Sequence, residues 1–407
     1  MELKEKSAYR WAMLILLLII NLQVDGAAVT SLSAVFPTIA KEFKLNYSQI
    51  SVIWAAIPLG VLLFCIIGGI LADRFAYKKV LSVSLLWTAV FGGLRGFSSS
   101  YESLLICNLL MGMGIGVIVP NLSKGVAMWF GSRELSRANG ILYLGVTVGM
   151  GLGLALGVPC ASLVGGWRNL MLLLAVINIA IFIMWIAAAR ERDTTGAESS
   201  QRPPMWDGMH RVFKVKEIWL ISFVEFITIG GLMAASGILP TFMVSKGMSD
   251  AEAGLFTSLG SLASIVGLIV GPYFSDKIGL RKIFTWPLFL IIAVTAPLLA
   301  ILWNWPLYMA AFLSGFCHGC ALPQLRSIVI ELEEIGPKLA GSAFGGIFTF
   351  NRIGAFLIPL IVGNIMTITG KPIAGFIFIG VINLIPVILM QFVRETGQGA
   401  KALKPVR

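Results

Sequence analysis

Long apolar runs separated by short polar stretches give this chain its pattern. Twelve runs stand out: Trp11–Phe36, Ile50–Leu71, Val80–Phe97, Ser103–Met128, Asn139–Leu163, Arg168–Ala189, Ile218–Met243, Ala253–Ser275, Ile283–Trp303, Pro306–Ile330, Leu339–Ile365 and Ile373–Val393. Each is close to the roughly 20 residues that a helix needs to cross a bilayer core. Most connections are short. The exception is residues 190–216, polar and carrying Pro203-Pro204, which reads as a linker between two groups of six helices. The pattern predicts an all-α membrane protein of twelve transmembrane helices: a six-helix bundle over 1–189, a cytoplasmic linker over 190–216 and a second six-helix bundle over 217–407.

Composition agrees. The chain is 57% hydrophobic and 13% charged, with a mean hydropathy of +0.89. A soluble domain carries roughly 25% charged residues, so this surface faces lipid. The first run follows Lys4, Lys6 and Arg10, exceeds the apolar core of a signal peptide and contains Asp25; it reads as a span rather than a leader.

The net charge of +11 is an orientation signal. Of 31 Lys and Arg residues, six (Lys41, Lys44, Arg95, Arg168, Lys246 and Lys371) are assigned to the side opposite the termini, and nearly all the others to the side of the termini. That bias predicts both termini and the linker to be cytoplasmic. No basic stripe interleaved with aromatics suggests nucleic-acid binding. Cys65, Cys107, Cys160, Cys317 and Cys320 all fall within apolar runs and read as packing residues. Cys317-His318-Gly319-Cys320 has metal-like spacing but no second ligand pair, so no metal or other cofactor is expected.

A constant offset of 203 residues pairs Pro37-Thr38 with Pro240-Thr241, Asp73 with Asp276, Lys79 with Lys282, Gly112 with Gly315, Gly116 with Gly319, Pro120 with Pro323 and Arg168 with Lys371. An even number of helices per half leaves both copies in the same orientation. The bundles are then related by a pseudo-twofold axis along the membrane normal, with a site expected at their interface.

The loop Gly69–Lys79 has a Gly, then Asp73 four residues on, Arg74, and the basic pair Lys78-Lys79. Pro272–Lys282 repeats it with Asp276, Lys277, Gly279, Arg281 and Lys282. These loops, with Gly166-Trp167-Arg168 before the sixth span, resemble the Major Facilitator Superfamily. Ala76, Tyr77 and Pro272 depart from its signature. The resemblance implies alternating access, two bundles rocking about a central cavity, with Asp73, Arg74, Lys78, Lys79, Asp276, Lys277, Arg281 and Lys282 as a cytoplasmic latch. Asp73 would sit at the N-terminus of the eleventh helix near Gly336-Pro337, and Asp276 near Asn139 on the fifth, where a helix dipole favours an anion. An Arg usual on the superfamily's fourth helix, linked to proton coupling, is replaced here by Asn108.

Gly145, Gly149, Gly153 and Gly157 recur every fourth residue on the fifth span. Such a stripe allows close backbone approach, either at a sliding seam between bundles or at a static helix contact.

Charges within spans are costly and face a cavity or a partner. Asp25, Lys124, Glu225, Arg326 and Arg352 stand out, together with His318. Asp25, on one face with Asn21, and Arg352, beside Asn351, fall near mid-span, the depth of transporter sites. Arg352 offers a planar fork to an oxyanion or pairs with Asp25. Glu225 lies in a stripe with Ser222 and Thr228, and Asp25 or Glu225 is a candidate proton carrier. Lys124 and Arg326 line the cavity, or snorkel and serve structure.

This set points to a monomeric secondary transporter in the cell membrane for a small organic anion such as a carboxylate, with proton symport a candidate coupling. Anion-transporting branches of the superfamily, including oxalate–formate exchangers, resemble it in having a basic residue on the eleventh helix. The alternative is a proton-coupled exporter of drug-like compounds, favoured by acids on helices one and seven and disfavoured by Asn108. Neither a clustered catalytic set nor a nucleotide-binding loop is present, so enzymatic activity and direct ATP coupling are not expected.

Overall fold

A computed structural model describes residues 2–190, 210–397 and 399, with the backbone alone for 2–8, 73, 132, 133, 136 and 336–338. The described residues form helices and no strand. We number the long helices α1 (Tyr9–Phe43), α2 (Tyr47–Arg74), α3 (Tyr77–Leu94), α4 (Tyr101–Trp129), α5 (Ser132–Leu163), α6 (Trp167–Ala188), α7 (Lys216–Ser245), α8 (Asp250–Ile278), α9 (Trp286–Ile301), α10 (Asn304–Glu331), α11 (Gly336–Thr369) and α12 (Pro372–Phe392). Among the described residues, eleven are long and apolar enough to cross a membrane; α10, at 28 residues, has the length, but carries Asn304, His318, Gln324, Arg326 and Glu331.

Local chemistry fixes several ends. Asn46 accepts from the Gln49 amide at 2.9 Å while the Gln49 side chain accepts from the Asn46 amide, a reciprocal cap that starts α2. Ser100 and Ser103 start α4 in the same way. Where the hydrophobic pattern stops α1 at Phe36, the helix runs through Pro37 to Phe43 and ends at Lys44, whose φ of 54° is left-handed. A membrane helix tolerates the proline because neighbouring groups re-satisfy the freed carbonyl.

Two compact units divide the chain. One comprises Met1–Gly196 with Ser236–Ser258, the other Ala197–Ala235 with Leu259–Arg407. The first unit thus includes the end of α7 and the start of α8. Ser33 donates to the Ser236 carbonyl at 2.5 Å and Thr38 to Asp250 at 2.9 Å; Gly237 lies under the Trp54 indole.

Within the first unit, α2 and α4 meet backbone to backbone. A Cβ on Gly112 would lie 3.0 Å from the Ile57 Cα, and one on Gly116 would lie 2.8 Å from the Val61 oxygen. In the second unit α8 and α10 meet likewise, Gly315 on Gly260 and Gly319 on Ser264. Each contact pair in one unit is the 203-residue counterpart of a pair in the other, so the sequence repeat extends to which residues touch.

The α5 glycines lie on α1, within the first unit. A Cβ on Gly145 would lie 2.9 Å from the Leu18 oxygen, on Gly153 2.6 Å from the Ala27 oxygen, and on Gly157 2.8 Å from the Ala34 Cβ. The stripe is the seat of α1, an intra-unit contact.

Candidate functional site

In the first unit the polar residues of α1 occupy a local irregularity. Residues Asn21–Ala27 form a π-helical stretch, closed by an Ala28 N–H bond to the Gln23 carbonyl. Such stretches are rare and cluster at functional sites. Asp25, half-buried, sits inside it. Asn21 is buried and donates to the Leu142 carbonyl of α5 at 2.8 Å. Thr30 donates to the Gly26 and Met150 carbonyls.

In the second unit Glu225 is 1% exposed and accepts from Asn351 Nδ2 at 2.9 Å, joining α7 to α11. Arg352, the next residue, is half-buried. Ser222 and Thr228 are fully buried on the same α7 stripe. His318 of α10 is 5% exposed; its Nδ1 is 3.0 Å from the Ser314 carbonyl and its ring approaches the Thr228 backbone. Facing a carbonyl, Nδ1 carries the proton. The structure therefore joins Glu225 to Asn351 across α7 and α11, and His318 of α10 to the Thr228 backbone one turn away on α7.

Lys124 donates to the Ala72 carbonyl at 2.6 Å, satisfying one of the last carbonyls of α2. The Arg326 guanidinium lies 5.4 Å from the centre of the Phe348 ring.

Of the loop charges, Lys78, Asp276, Arg281 and Lys282 have partners within their own units. Lys78 donates to the Ile186 carbonyl at 2.6 Å; Arg74 and Lys79 are exposed. Tyr77, standing where the superfamily has a basic residue, is buried, with its hydroxyl donating to the Asn121 carbonyl at 2.9 Å. In the other loop Arg281 bridges Asp276 at 2.5 Å and Glu331 at 2.7 Å, and Glu331 holds its guanidinium firmly protonated. Glu395 accepts the Arg281 and Lys282 amides, and Lys282 Nζ donates to the Gln391 carbonyl; Lys277 is exposed. The side chains of Asp73, Gly336 and Pro337 lie outside the described residues. Gly166, at φ 126°, turns the chain into α6, where Trp167 and Arg168 both bind Glu42.

Sequence reasoning missed one residue. Arg95, assigned to an outer loop, is 0% exposed at the end of α3. Its Nε donates to the Gly92 carbonyl at 3.0 Å and its Nη2 to the Ala28 carbonyl at 3.1 Å. A short polar break after Leu94 looks the same in sequence whether its Arg turns out or in. The five cysteines are free.

Among the described residues, twelve long helices bury polar and ionisable groups between them, the arrangement of a membrane transporter. The profile of the Major Facilitator Superfamily matches residues 18–359 and, in an overlapping match, 221–406; the chain belongs to this superfamily. It is a transporter rather than an enzyme. Among relatives, it is 27% identical over 365 residues to "Probable nitrate/nitrite antiporter NarK1" of Thermus thermophilus, covering 82% of this chain and 80% of that protein. It is 26% identical over 340 residues to the 3-(3-hydroxy-phenyl)propionate transporter of Escherichia coli (strain K12), covering 81% of each. Its fold matches the crystal structure of a bacterial homologue of the human lysosomal transporter Spinster, with a TM-score of 0.76, 16% identity and 95% of both chains covered.

Proposed function

We propose that this transporter moves a small organic anion, a carboxylate, by alternating access between halves 1–189 and 217–407 joined by the linker 190–216. The observation that carries the reading is the hydrogen bond from Asn351 to the buried Glu225, with Arg352 next in sequence. Buried polar groups at mid-span are costly unless they serve a pathway. Arg352 is the anion's partner, Asn351 and Asn21 shape its surroundings, and His318, Lys124 and Arg326 line the approach. The names of the two relatives describe carriers of nitrate or nitrite and of an aromatic propionate, both anions. Asp25 or Glu225 carries a symported proton. The charged loops holding Asp73, Arg74, Lys78, Lys79, Asp276, Lys277, Arg281 and Lys282 form a cytoplasmic gate. The protein acts as a monomer in the cell membrane with both termini cytoplasmic.

Uptake into proteoliposomes tests this with a panel of 3-(3-hydroxyphenyl)propionate, nitrate and organic cations, with and without an inward proton gradient. Anion uptake lost in Arg352→Ala supports the assignment. Uptake unchanged in Arg352→Ala refutes it, and indifference to the gradient removes the symport.

A further inference from the structure

We infer that Arg95 is a positioning residue for Asp25: from α3 it clamps the end of the π-helical stretch of α1 and so fixes the direction in which the Asp25 carboxylate points. The relevance to transport rests on the role proposed above for Asp25; the clamp itself rests on geometry alone.

Arg95 is a guanidinium with 0% exposure, and no carboxylate pairs with it among the described residues. Its Nη1 has no hydrogen-bond partner among the described residues. A buried, unpaired charge is expensive, and an apolar side chain of similar volume would serve packing better. What the charge gains is two carbonyls. One, Gly92, is three residues back in the last turn of α3, which holds the side chain in place. The other is Ala28 on α1. Ala28 is the residue whose N–H reaches back five residues to Gln23 and closes the π stretch.

Further restraints act on the same segment. Asn21 is tied to the Leu142 carbonyl at its start, and Thr30 to Gly26 and Met150 beyond its end. The α5 glycines accept its backbone at close range; a Cβ on Gly26 would lie 2.8 Å from the Gly149 Cα. A π stretch holds one residue more than the α-helix that would replace it, and one residue is about 100° of rotation. If the stretch relaxes to α register, the side chains within it turn by that amount and Asp25 leaves its present direction. Asn21, Thr30 and the glycines anchor α1 to α5. Arg95 is the anchor from α3, and it is charge-assisted, hence the stronger kind of hydrogen bond.

The test uses the full chain in detergent and in proteoliposomes, with Cys65, Cys107, Cys160, Cys317 and Cys320 replaced by alanine. Val24, fully buried in the stretch, is changed to cysteine and its reaction with N-ethylmaleimide is timed. Ile57→Cys, buried on α2, is the control for general loosening. Adding Arg95→Leu is expected to speed labelling at position 24 at least fivefold and leave position 57 unchanged, with Arg95→Lys restoring slow labelling. Equal labelling at 24 with and without Arg95→Leu overturns the clamp, as does acceleration at both positions. Should Arg95→Leu not fold, Arg95→Gln, too short to reach both carbonyls, gives the same comparison.

Uptake of 3-(3-hydroxyphenyl)propionate in the same variants reads the consequence: a maximal rate at least tenfold lower in Arg95→Leu, with half-saturation within threefold, recovering in Arg95→Lys. If Asp25→Asn transports normally while labelling at 24 responds to Arg95, the clamp stands and the proposed role of Asp25 falls.

Discussion

Asn351 donates a single 2.9 Å hydrogen bond to Glu225, a carboxylate that is 1% exposed and lies on a different helix. Breaking it from the Asn351 side strands a buried acceptor, which costs about 1–3 kcal/mol. Asn351→Leu is therefore expected to lower the melting temperature more than Glu225→Gln, which keeps an acceptor in place. The double variant should fall short of the sum of the singles by about 1 kcal/mol, the non-additivity of contacting residues. Additive effects in thermal melts would show that the pair is not coupled.

The glycines divide into two kinds by what surrounds them. Gly112→Ala drives a methyl against the Ile57 Cα and carbonyl carbon, and Gly315→Ala drives one against the Gly260 backbone. Each is expected to cost about 1–3 kcal/mol from overpacking. Gly69 has nothing within 4 Å of a would-be Cβ, so Gly69→Ala gains helix propensity of about 0.5–1 kcal/mol. Melting temperatures of the three variants check the ranking.

Glu334 lies outside the spans, and its pKa is held below the usual carboxylate value by a backbone hydrogen bond and then by Arg394, 2.9 Å away. A lowered folded-state pKa gives stabilisation that is present above the ordinary carboxylate range and lost as pH falls through the depressed value. The Arg394 pKa is raised by Glu217 first and Glu334 second, so it stays charged throughout. Glu334→Gln should thus melt below the wild type at neutral pH, and the gap should close on acidification. A gap independent of pH would contradict the electrostatic account.

Tyr77 replaces a basic residue of the superfamily signature with a buried phenol. Tyr77→Phe removes only the bond to the Asn121 carbonyl and should cost about 1 kcal/mol. Tyr77→Arg is expected to cost considerably more, because it takes a charge out of water at a position that is 6% exposed. Expression level and melting temperature together check both.

Eleven of the long helices among the described residues were legible in the sequence because apolar length dictates them; α10 was read from an apolar run interrupted by polar residues. Helix ends were less legible: α5 begins seven residues before the expected Asn139, at Ser132, and α1 passes through Pro37, since polar extensions and a tolerated proline carry no hydropathy signal. The 203-residue offset paired Gly112 with Gly315 in the sequence, but the equivalent contacts they make, on Ile57 and Gly260, come from the structure. The neighbourhood of Glu225 was half legible. Ser222 and Thr228 follow from helical spacing, but Asn351 as its donor depends on how α7 and α11 pack, which no spacing encodes. The π stretch and the inward turn of Arg95 were invisible, since a one-residue bulge leaves the apolar pattern of α1 intact.

The polarity of α10 bears on how the chain enters the bilayer. Nascent helices partition one by one according to their own hydrophobicity, and Asn304–Glu331 is the one long helix among the described residues that does not qualify by that measure. It is followed directly by charged Glu333 and Glu334. It does have companions that precede it out of the ribosome: α9, strongly apolar and packed along it, and α8, whose Gly260 and Ser264 receive Gly315 and Gly319. The second half is therefore expected to insert with help from its own packing, α8 and α9 supplying in the bilayer the surfaces that α10 lacks the hydrophobicity to do without.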